Sequence, residues 1–232
     1  MKLLGLIGGV SPESTVFYYR LLNAAARAAI GAEHSARALF YTLDYGDMIT
    51  HYRANDWDAF NREVSRGAIA LKNAGVDAIV ITSNTTHVGA QAASEASGLP
   101  LIHLLDVLAD ELRRQGARKP LLLGTSFVMN GPFYIPALKS RYAGDILVPD
   151  RAEQSIVERI ILDELVHGEV IDESRDDLLR IIASHDCDCI ILGCTELCLI
   201  LEQSHLSKRI LDTTSMHANA AASFMLEEDG AH

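Results

Sequence analysis

A short apolar run followed by a polar turn occurs twice in the chain, and it constrains the fold more than any other feature. The two copies align when Asp77 is set on Asp188, 111 residues later. Short apolar runs rich in β-branched residues are typical of strands that are buried on both faces of a parallel sheet. The alignment places Ser83 on Cys194, so each of these residues should follow directly after a buried strand.

Two weaker repeats accompany the first. Residues 6–8 (Leu-Ile-Gly) match residues 122–124 (Leu-Leu-Gly), and each glycine is followed ten residues later by a tyrosine. A fainter match joins residues 101–102 to residues 210–211. Repeats of this length predict two βα lobes related by an approximate twofold axis.

Strands and helices are expected to alternate along the whole chain, which favours parallel sheets covered by helices. The predicted fold class is α/β, with two similar lobes, each a mainly parallel sheet flanked by helices, and with the active site between them. The lobes should be residues 1–99 with 210–232, and residues 100–209. The predicted strands are 3–7, 38–43, 78–82, a short one from 101, 121–123, 146–148, 190–192 and 209–211. The predicted helices include 12–29, which is capped by Ser11, 105–115, one through 156–165 and a last one over 216–228, whereas 44–55 should be a polar loop.

The charge and cysteine content limit the possible partners. The 232 residues carry a formal net charge of −11, which argues against nucleic acid or an anionic membrane as a partner. No stretch approaches the length of a membrane span, and the first residues form a strand pattern instead of a signal peptide. All four cysteines lie between positions 187 and 198, so a disulfide framework is not expected and the cytoplasm is the expected location.

Cys194 is the strongest candidate for a reactive group. It follows a predicted buried strand and Gly193, and open α/β sheets place their ligands at the carboxyl ends of strands. A helix that began at Thr195 would favour the thiolate, which is the form of cysteine that takes protons. Cys187, Cys189 and Cys198 are interpreted as core residues. Their spacing lacks the paired C-x2-C motifs of structural zinc sites, so no metal is expected.

Three stretches together resemble the aspartate/glutamate racemase family: GGVSPEST at 8–15, SNTTH at 83–87 and GCTEL at 193–197. The resemblance covers essentially the whole chain. It implies a racemase that needs no cofactor, acts on an amino-acid substrate of the aspartate/glutamate type and forms a homodimer. In such enzymes one thiolate removes the α-proton, and a thiol on the opposite side returns a proton to the other face.

The resemblance also implies the residues of the site. Cys194 and Ser83 would be the two catalytic positions. Residues implied to contact the substrate are Val10, Tyr52, Arg53, Asn84, Thr85, Thr125, Thr195 and Glu196. From the residues alone, Arg53 is a candidate to bind the side-chain carboxylate of a substrate. The competing interpretation is that Arg53 is a solvated arginine on a loop. A general base is one interpretation of His87. The other, which we adopt, is a helix residue that orients Asn84 or packs under the loop.

The sequence departs from the family pattern at the first thiol position, where it has Ser83. A hydroxyl is far less acidic than a thiol, so Ser83 is expected to relay or donate a proton weakly while Cys194 is the base. Position 164 is a lysine in some aspartate racemases and a glutamate here.

Two alternatives to an aspartate/glutamate-type racemase stay open. A single-cysteine enzyme that resembles arylmalonate decarboxylase is one. A catalytically silent amino-acid-binding protein is the other.

Overall fold

The computed structural model describes residues 1–227, which form two compact units. The first unit contains Met1–Leu104 together with the chain from Thr214 onward, and the second contains Leu105–Thr213. Each unit holds one parallel sheet flanked by helices, so the predicted α/β class is confirmed. None of the helices within residues 1–227 combines the length and the apolar character that crossing a bilayer requires.

The first unit is built on a four-stranded parallel sheet in the order β2-β1-β3-β4. Its strands are β1 (Leu4–Gly8), β2 (Ala38–Thr42), β3 (Ala78–Ile81) and β4 (Leu101–Ile102). Its helices are α1 (Pro12–Ile30), α2 (Tyr45–Arg53), α3 (Trp57–Asn73) and α4 (Ala90–Ser97), with a 3-10 turn at Thr85–Gly89 before α4.

Both faces of the first sheet are covered by apolar side chains. Successive residues of a strand point to opposite faces, and β1 shows this clearly. Leu4 and Leu6 pack with α1 and the last helix of the chain, whereas Ile7 packs with α3 and α4. The two inner strands, β1 and β3, are fully buried, as the sequence predicted for a sheet that is buried on both faces, whereas the edge strand β2 is only partly buried.

The second unit has a three-stranded parallel sheet in the order β5-β6-β7. Its strands are β5 (Pro120–Leu123), β6 (Cys189–Leu192) and β7 (Arg209–Asp212). Its helices are α5 (Leu104–Gln115), α6 (Ser126–Asn130), α7 (Tyr134–Lys139), α8 (Arg151–Arg159) and α9 (Asp172–Ser184). A π turn (Ile160–Glu164) and 3-10 turns (Leu165–His167, Thr195–Leu199 and Gln203–His205) complete it. The last helix, α10 (Thr213–Leu226), returns the chain to the first unit.

The paired aspartates of the sequence repeat make the same contact in both units. The carboxylate of Asp77 accepts a hydrogen bond from the backbone N–H of Leu3 at 2.6 Å, just before β1. The carboxylate of Asp188 accepts from the N–H groups of Arg118 and Lys119 at 2.5 and 3.0 Å, just before β5. Each aspartate thus joins the start of one strand to the start of its neighbour.

Three details of the sequence prediction were wrong. The predicted loop 44–55 contains α2, because the Asp44 side chain accepts from the N–H of Asp47 at 2.9 Å and caps a helix. The predicted strand 146–148 is a single bridge between Leu147 and β5. The predicted helix through 156–165 changes to π geometry after Arg159.

The two compact units differ from the predicted lobes by a few residues at each boundary. The prediction divided the chain after 99 and after 209, whereas the units divide after Leu104 and after Thr213. Strand pairing accounts for the difference, because β4 pairs with β3 and β7 pairs with β6. The end of the predicted helix 216–228 extends beyond the described residues.

A buried histidine ties three segments of the first unit together. The Nε2–H of His217 donates to the carbonyl of Ile102 at 2.7 Å, which leaves Nδ1 to accept from the Tyr18 hydroxyl at 2.7 Å. His217 is fully buried, and this burial lowers its pKa to about 4. The ring is therefore neutral in the folded protein at neutral pH.

Acid should destabilise the protein through His217. The folded-state pKa lies below the ordinary histidine value, so the unfolded chain takes up the proton first, and stability falls as the pH drops from about 6.5 toward about 4. Between about pH 7 and pH 4, the wild type should lose about 3 kcal/mol more unfolding free energy than His217→Gln. Urea unfolding followed by circular dichroism measures this difference. The exposed His34→Gln variant is the control, and a pH dependence for His217→Gln equal to that of wild type would contradict the assignment.

Candidate active site

In the second unit, Cys194 lies just beyond the central strand β6. The backbone N–H of Gly193 donates to the carbonyl of Leu123 at 2.7 Å and continues the ladder between β5 and β6 by one residue. A Cβ at position 193 would lie 2.9 Å from the Val128 side chain, so only glycine fits here without a shift. The chain then enters the 3-10 turn at Thr195 with a half-buried Cys194 as the preceding residue.

The Cys194 thiol is hydrogen-bonded to a carboxylate. Its Sγ donates to Oε2 of Glu196 at 2.9 Å. Burial, and then the negative charge of Glu196, raise the pKa of the Cys194 thiol well above its ordinary value. The prediction that a helix start would favour the thiolate was wrong, because the turn is a five-residue 3-10 segment and the group that contacts the thiol is an anion.

The other three cysteines are also free thiols. Cys187 and Cys189 are buried, as predicted for core residues. Cys198 is half-buried, and its Sγ donates to the carbonyl of Thr195 at 2.9 Å. Burial raises the pKa of Cys189 and of Cys198 to about 12. No group of three metal-ligating side chains within residues 1–227 is placed to hold a metal ion.

Thr125 follows β5, the strand beside β6. It is half-buried and precedes α6, and its carbonyl accepts from the N–H groups of Val128 and Met129 at 3.0 Å each. The start of α6 is also held by Glu158, whose carboxylate accepts from the N–H and the hydroxyl of Ser126 at 3.1 and 2.5 Å. The second unit therefore places Thr125 and the segment from Cys194 to Glu196 at the carboxyl ends of two neighbouring strands.

Glu164 is a buried carboxylate on the π turn. One carboxylate oxygen, Oε1, forms an ion pair with Arg159, and the other has no hydrogen-bond donor within the part of the chain that the structure describes. Its neighbours Ile161 and Leu165 belong to the apolar cluster against which Cys194 packs. Short π segments inside helices are frequent at functional sites.

In the first unit, the turn after β1 depends on glycine. Gly9 has a φ of 95°, and a Cβ there would lie 2.1 Å from the carbonyl oxygen of Leu43. The chain then passes through the buried Val10 into α1, where Ser11 accepts from the N–H of Ser14 at 3.2 Å, as predicted for a helix cap. The Ser14 hydroxyl donates to the carbonyl of Thr82 at 2.5 Å, which links this turn to the residue before Ser83.

Ser83 lies two residues beyond β3, at the same place as Cys194 beyond β6. It is half-buried, and its hydroxyl oxygen accepts from the N–H of Thr86 at 3.4 Å. The neighbouring Asn84 is buried and Thr85 is half-buried. The first unit thus brings Val10 near the segment 83–85 at the carboxyl ends of β1 and β3.

Tyr52 and Arg53 lie on a helix, although the sequence suggested a loop. They form the last turn of α2, where the Tyr52 ring contacts Trp57 edge to face at 6.0 Å between centroids. Arg53 is exposed, which agrees with the competing interpretation of a solvated arginine.

Sequence reasoning missed two residues that support these segments. Glu158 is 32 residues from Ser126, and His217 is 199 residues from Tyr18. Neither lies in a recognisable motif.

Comparison with known proteins identifies the family. The family model for Asp/Glu/hydantoin racemases matches residues 7–221. The chain is 24% identical over 233 residues to the broad-specificity amino-acid racemase RacX of Bacillus subtilis (strain 168), with 97% of this chain and 98% of RacX covered.

Two solved structures are also similar over the full length. An Asp/Glu racemase candidate from Yersinia pestis has 38% identity and a TM-score of 0.92, with 98% of this chain and 100% of that chain covered. An aspartate racemase homologue from Pyrococcus horikoshii OT3 has 28% identity and a TM-score of 0.87, with the same coverage. The chain therefore belongs to the Asp/Glu/hydantoin racemase family, and it is an isomerase of the amino-acid racemase class.

Proposed function

We propose that Cys194 is the base that removes the α-proton of the substrate, and that Ser83 supplies or relays a proton to the opposite face. The observation that carries this proposal is the Cys194 thiol, which is half-buried at the carboxyl end of β6 and donates to the Glu196 carboxylate. The position of Ser83 beyond β3 supports it, because the two residues occupy equivalent places in the two repeats.

Each proton in this reaction has a source and a destination. The Glu196 carboxylate, 2.9 Å from the sulfur, accepts the thiol proton and leaves a thiolate. The thiolate then takes the α-proton, and hydroxyl and backbone N–H donors around Thr195 and Asn84 stabilise the carbanion. The O–H of Ser83 gives a proton to the other face and recovers one from solvent. Glu196 releases the proton that it took from the thiol to solvent, which restores the starting state. No cofactor takes part.

Aspartate and glutamate are the first substrate class that we propose, and a homodimer is the proposed assembly. The family to which the chain belongs supports this substrate class. The broad specificity named for RacX favours a panel of amino acids in any test. An enzyme that resembles arylmalonate decarboxylase would instead release carbon dioxide from a malonate. A silent binding protein would be stabilised by ligand without turnover.

Solvent deuterium exchange tests the roles of the two positions. In D₂O, the wild type should incorporate deuterium into the L-enantiomers of aspartate and glutamate faster than into the D-enantiomers. Only Cys194 is a competent base, and the resemblance to family members that lack the first thiol implies that it takes the α-proton of the L-enantiomer. Ser83→Cys should bring exchange of the two enantiomers closer together and accelerate racemisation. NMR follows the loss of the α-proton signal.

Cys194→Ala should lower exchange by about 10²- to 10⁴-fold, the usual contribution of a positioned acid or base. Cys198→Ser is the matched control, and its exchange should stay near that of the wild type. Full activity in Cys194→Ala would refute the proposal. If neither enantiomer exchanges in the wild type or in Ser83→Cys, aspartate and glutamate are not substrates. Malonates and other amino acids would then be tested.

The role of Glu196 has its own test. Glu196→Gln removes the negative charge beside the thiol, so the pKa of Cys194 should fall and its alkylation by iodoacetamide should begin at lower pH. The same variant should racemise more slowly, because the acceptor for the thiol proton is lost. Peptide mass spectrometry separates Cys194 from Cys198.

Glu173→Gln makes the same charge change at an exposed position of the same unit and serves as the control. An alkylation profile of Cys194 that is unchanged in Glu196→Gln would show that the carboxylate does not act on the thiol.

A second substrate class is favoured by Glu164. Its second carboxylate oxygen is buried without a donor among residues 1–227, so a substrate that offers a side-chain N–H or O–H group would satisfy it. A side-chain carboxylate at the same place would be repelled. Amino acids with a side-chain donor are therefore the alternative to aspartate and glutamate.

Glutamine and glutamate, which have nearly the same shape, separate the two classes. If Glu164 faces the substrate, kcat/KM for L-glutamine should exceed that for L-glutamate in the wild type, and Glu164→Lys should reverse the ratio by at least about tenfold. Glu164→Gln should reduce the preference with less risk to folding. The exposed Glu169→Lys is the charge-matched control, and equal ratios in all four proteins would eliminate Glu164 as a specificity residue.

A further inference from the structure

His87 is buried beneath the Ser83 turn and is hydrogen-bonded at both ring nitrogens. Its Nδ1 lies 2.6 Å from the carbonyl oxygen of Ser83, and its Nε2 lies 3.2 Å from the backbone nitrogen of Leu104. The ring is 1% exposed and also packs against the rings of His103 and His217, at centroid distances of 4.9 and 5.3 Å. One side chain therefore connects the turn after β3 to the segment after β4.

The backbone partners determine the tautomer of His87. A carbonyl oxygen only accepts, so Nδ1 must carry the proton that is donated to Ser83. A backbone N–H only donates, so Nε2 must be unprotonated to accept from Leu104. A neutral ring with its proton on Nδ1 satisfies both partners, and no other form of the ring does so.

The corresponding position in the second repeat is occupied differently. The 111-residue offset sets His87 on Cys198, whose thiol donates to Thr195 within its own turn. The carbonyl of Cys194 instead accepts the local N–H of Leu197 at 3.3 Å. In the Ser83 repeat, His87 therefore links the carbonyl of Ser83 to the segment at Leu104. In the Cys194 repeat, the Cys198 thiol forms a hydrogen bond only within its own turn in the described part of the chain.

We propose that His87 is a positioning residue that holds Ser83 in place for proton delivery. This proposal rests on the proposed function, in which Ser83 faces the substrate. Within the described part of the chain, the Ser83 hydroxyl has only a long contact of 3.4 Å from Thr86, so its location depends on how firmly the backbone is held. That backbone is held by His87 at the Ser83 carbonyl and by Ser14 at the preceding Thr82 carbonyl.

Three substitutions separate the two hydrogen bonds of the ring. Asparagine places an amide donor near the position of Nδ1, so His87→Asn retains the bond to Ser83 and loses the bond to Leu104. Glutamine reaches the position of Nε2, so His87→Gln retains the bond to Leu104 and loses the bond to Ser83. His87→Phe keeps the ring volume and loses both. The unfolding temperature of the protein should be lower in all three variants. A lower unfolding temperature alone would show only that His87 has a structural role.

The decisive measurement is the ratio of racemisation to exchange of the L-enantiomer in D₂O. Exchange of the L-enantiomer reports the Cys194 step, whereas conversion to the D-enantiomer also needs Ser83. His87→Gln and His87→Phe should lower this ratio by about ten- to a hundredfold, because small displacements of a catalytic group are costly, and His87→Asn should restore most of it. Equal losses of racemisation and exchange in all three variants would overturn the proposal.

A second readout does not require turnover. In the Ser83→Cys background, the rate at which iodoacetamide alkylates the thiol introduced at position 83 reports where that side chain lies. This rate should change in His87→Gln and His87→Phe and stay near the parent value in His87→Asn. If the proposed function is wrong, the α-proton of the substrate will not exchange, but the alkylation rate at position 83 will still depend on residue 87. A rate that is the same in all variants would overturn the positioning role itself.

Discussion

The location of both candidate catalytic positions depends on one requirement, that a buried backbone N–H just beyond a central strand must find an acceptor. Thr82 donates to the carbonyl of Ile7 at 3.0 Å, and Gly193 donates to the carbonyl of Leu123 at 2.7 Å. Each of these bonds continues the parallel ladder by one residue past the strand. The chain leaves the sheet only afterwards, so the first residue free to turn toward solvent is Ser83 in one unit and Cys194 in the other.

The sequence predicted the parts of the fold in which side-chain pattern and burial agree. Strands β1, β3, β5 and β6 are fully buried apolar runs, and Ser11 caps α1 as expected. The prediction failed where the pattern is weak. The short α2 buries only Met48 and mixes its apolar residues with Gly46, Asp47 and Thr50, and only Leu147 of the predicted strand 146–148 pairs with the sheet.

The candidate site was predictable in position but not in chemical state. The repeat and the family motifs place Ser83 and Cys194 at equivalent points of the chain. They do not reveal that Glu196 accepts a hydrogen bond from the thiol, because that contact depends on the 3-10 geometry of the turn. The tautomer of His87 was equally out of reach, since one of the two partners that determine it, Leu104, lies 17 residues further along the chain.

The return of α10 to the first unit has a consequence for how the protein is made. Ala218, Ala221 and Met225 cover the face of the first sheet that includes Leu4, and the N–H of Lys2 donates to the carbonyl of Met225 at 2.9 Å. The second unit, by contrast, is one continuous segment. On the ribosome, the second unit therefore has all of its residues first. In the first unit, α1 covers part of this apolar face early, and the remainder stays uncovered until α10 has emerged.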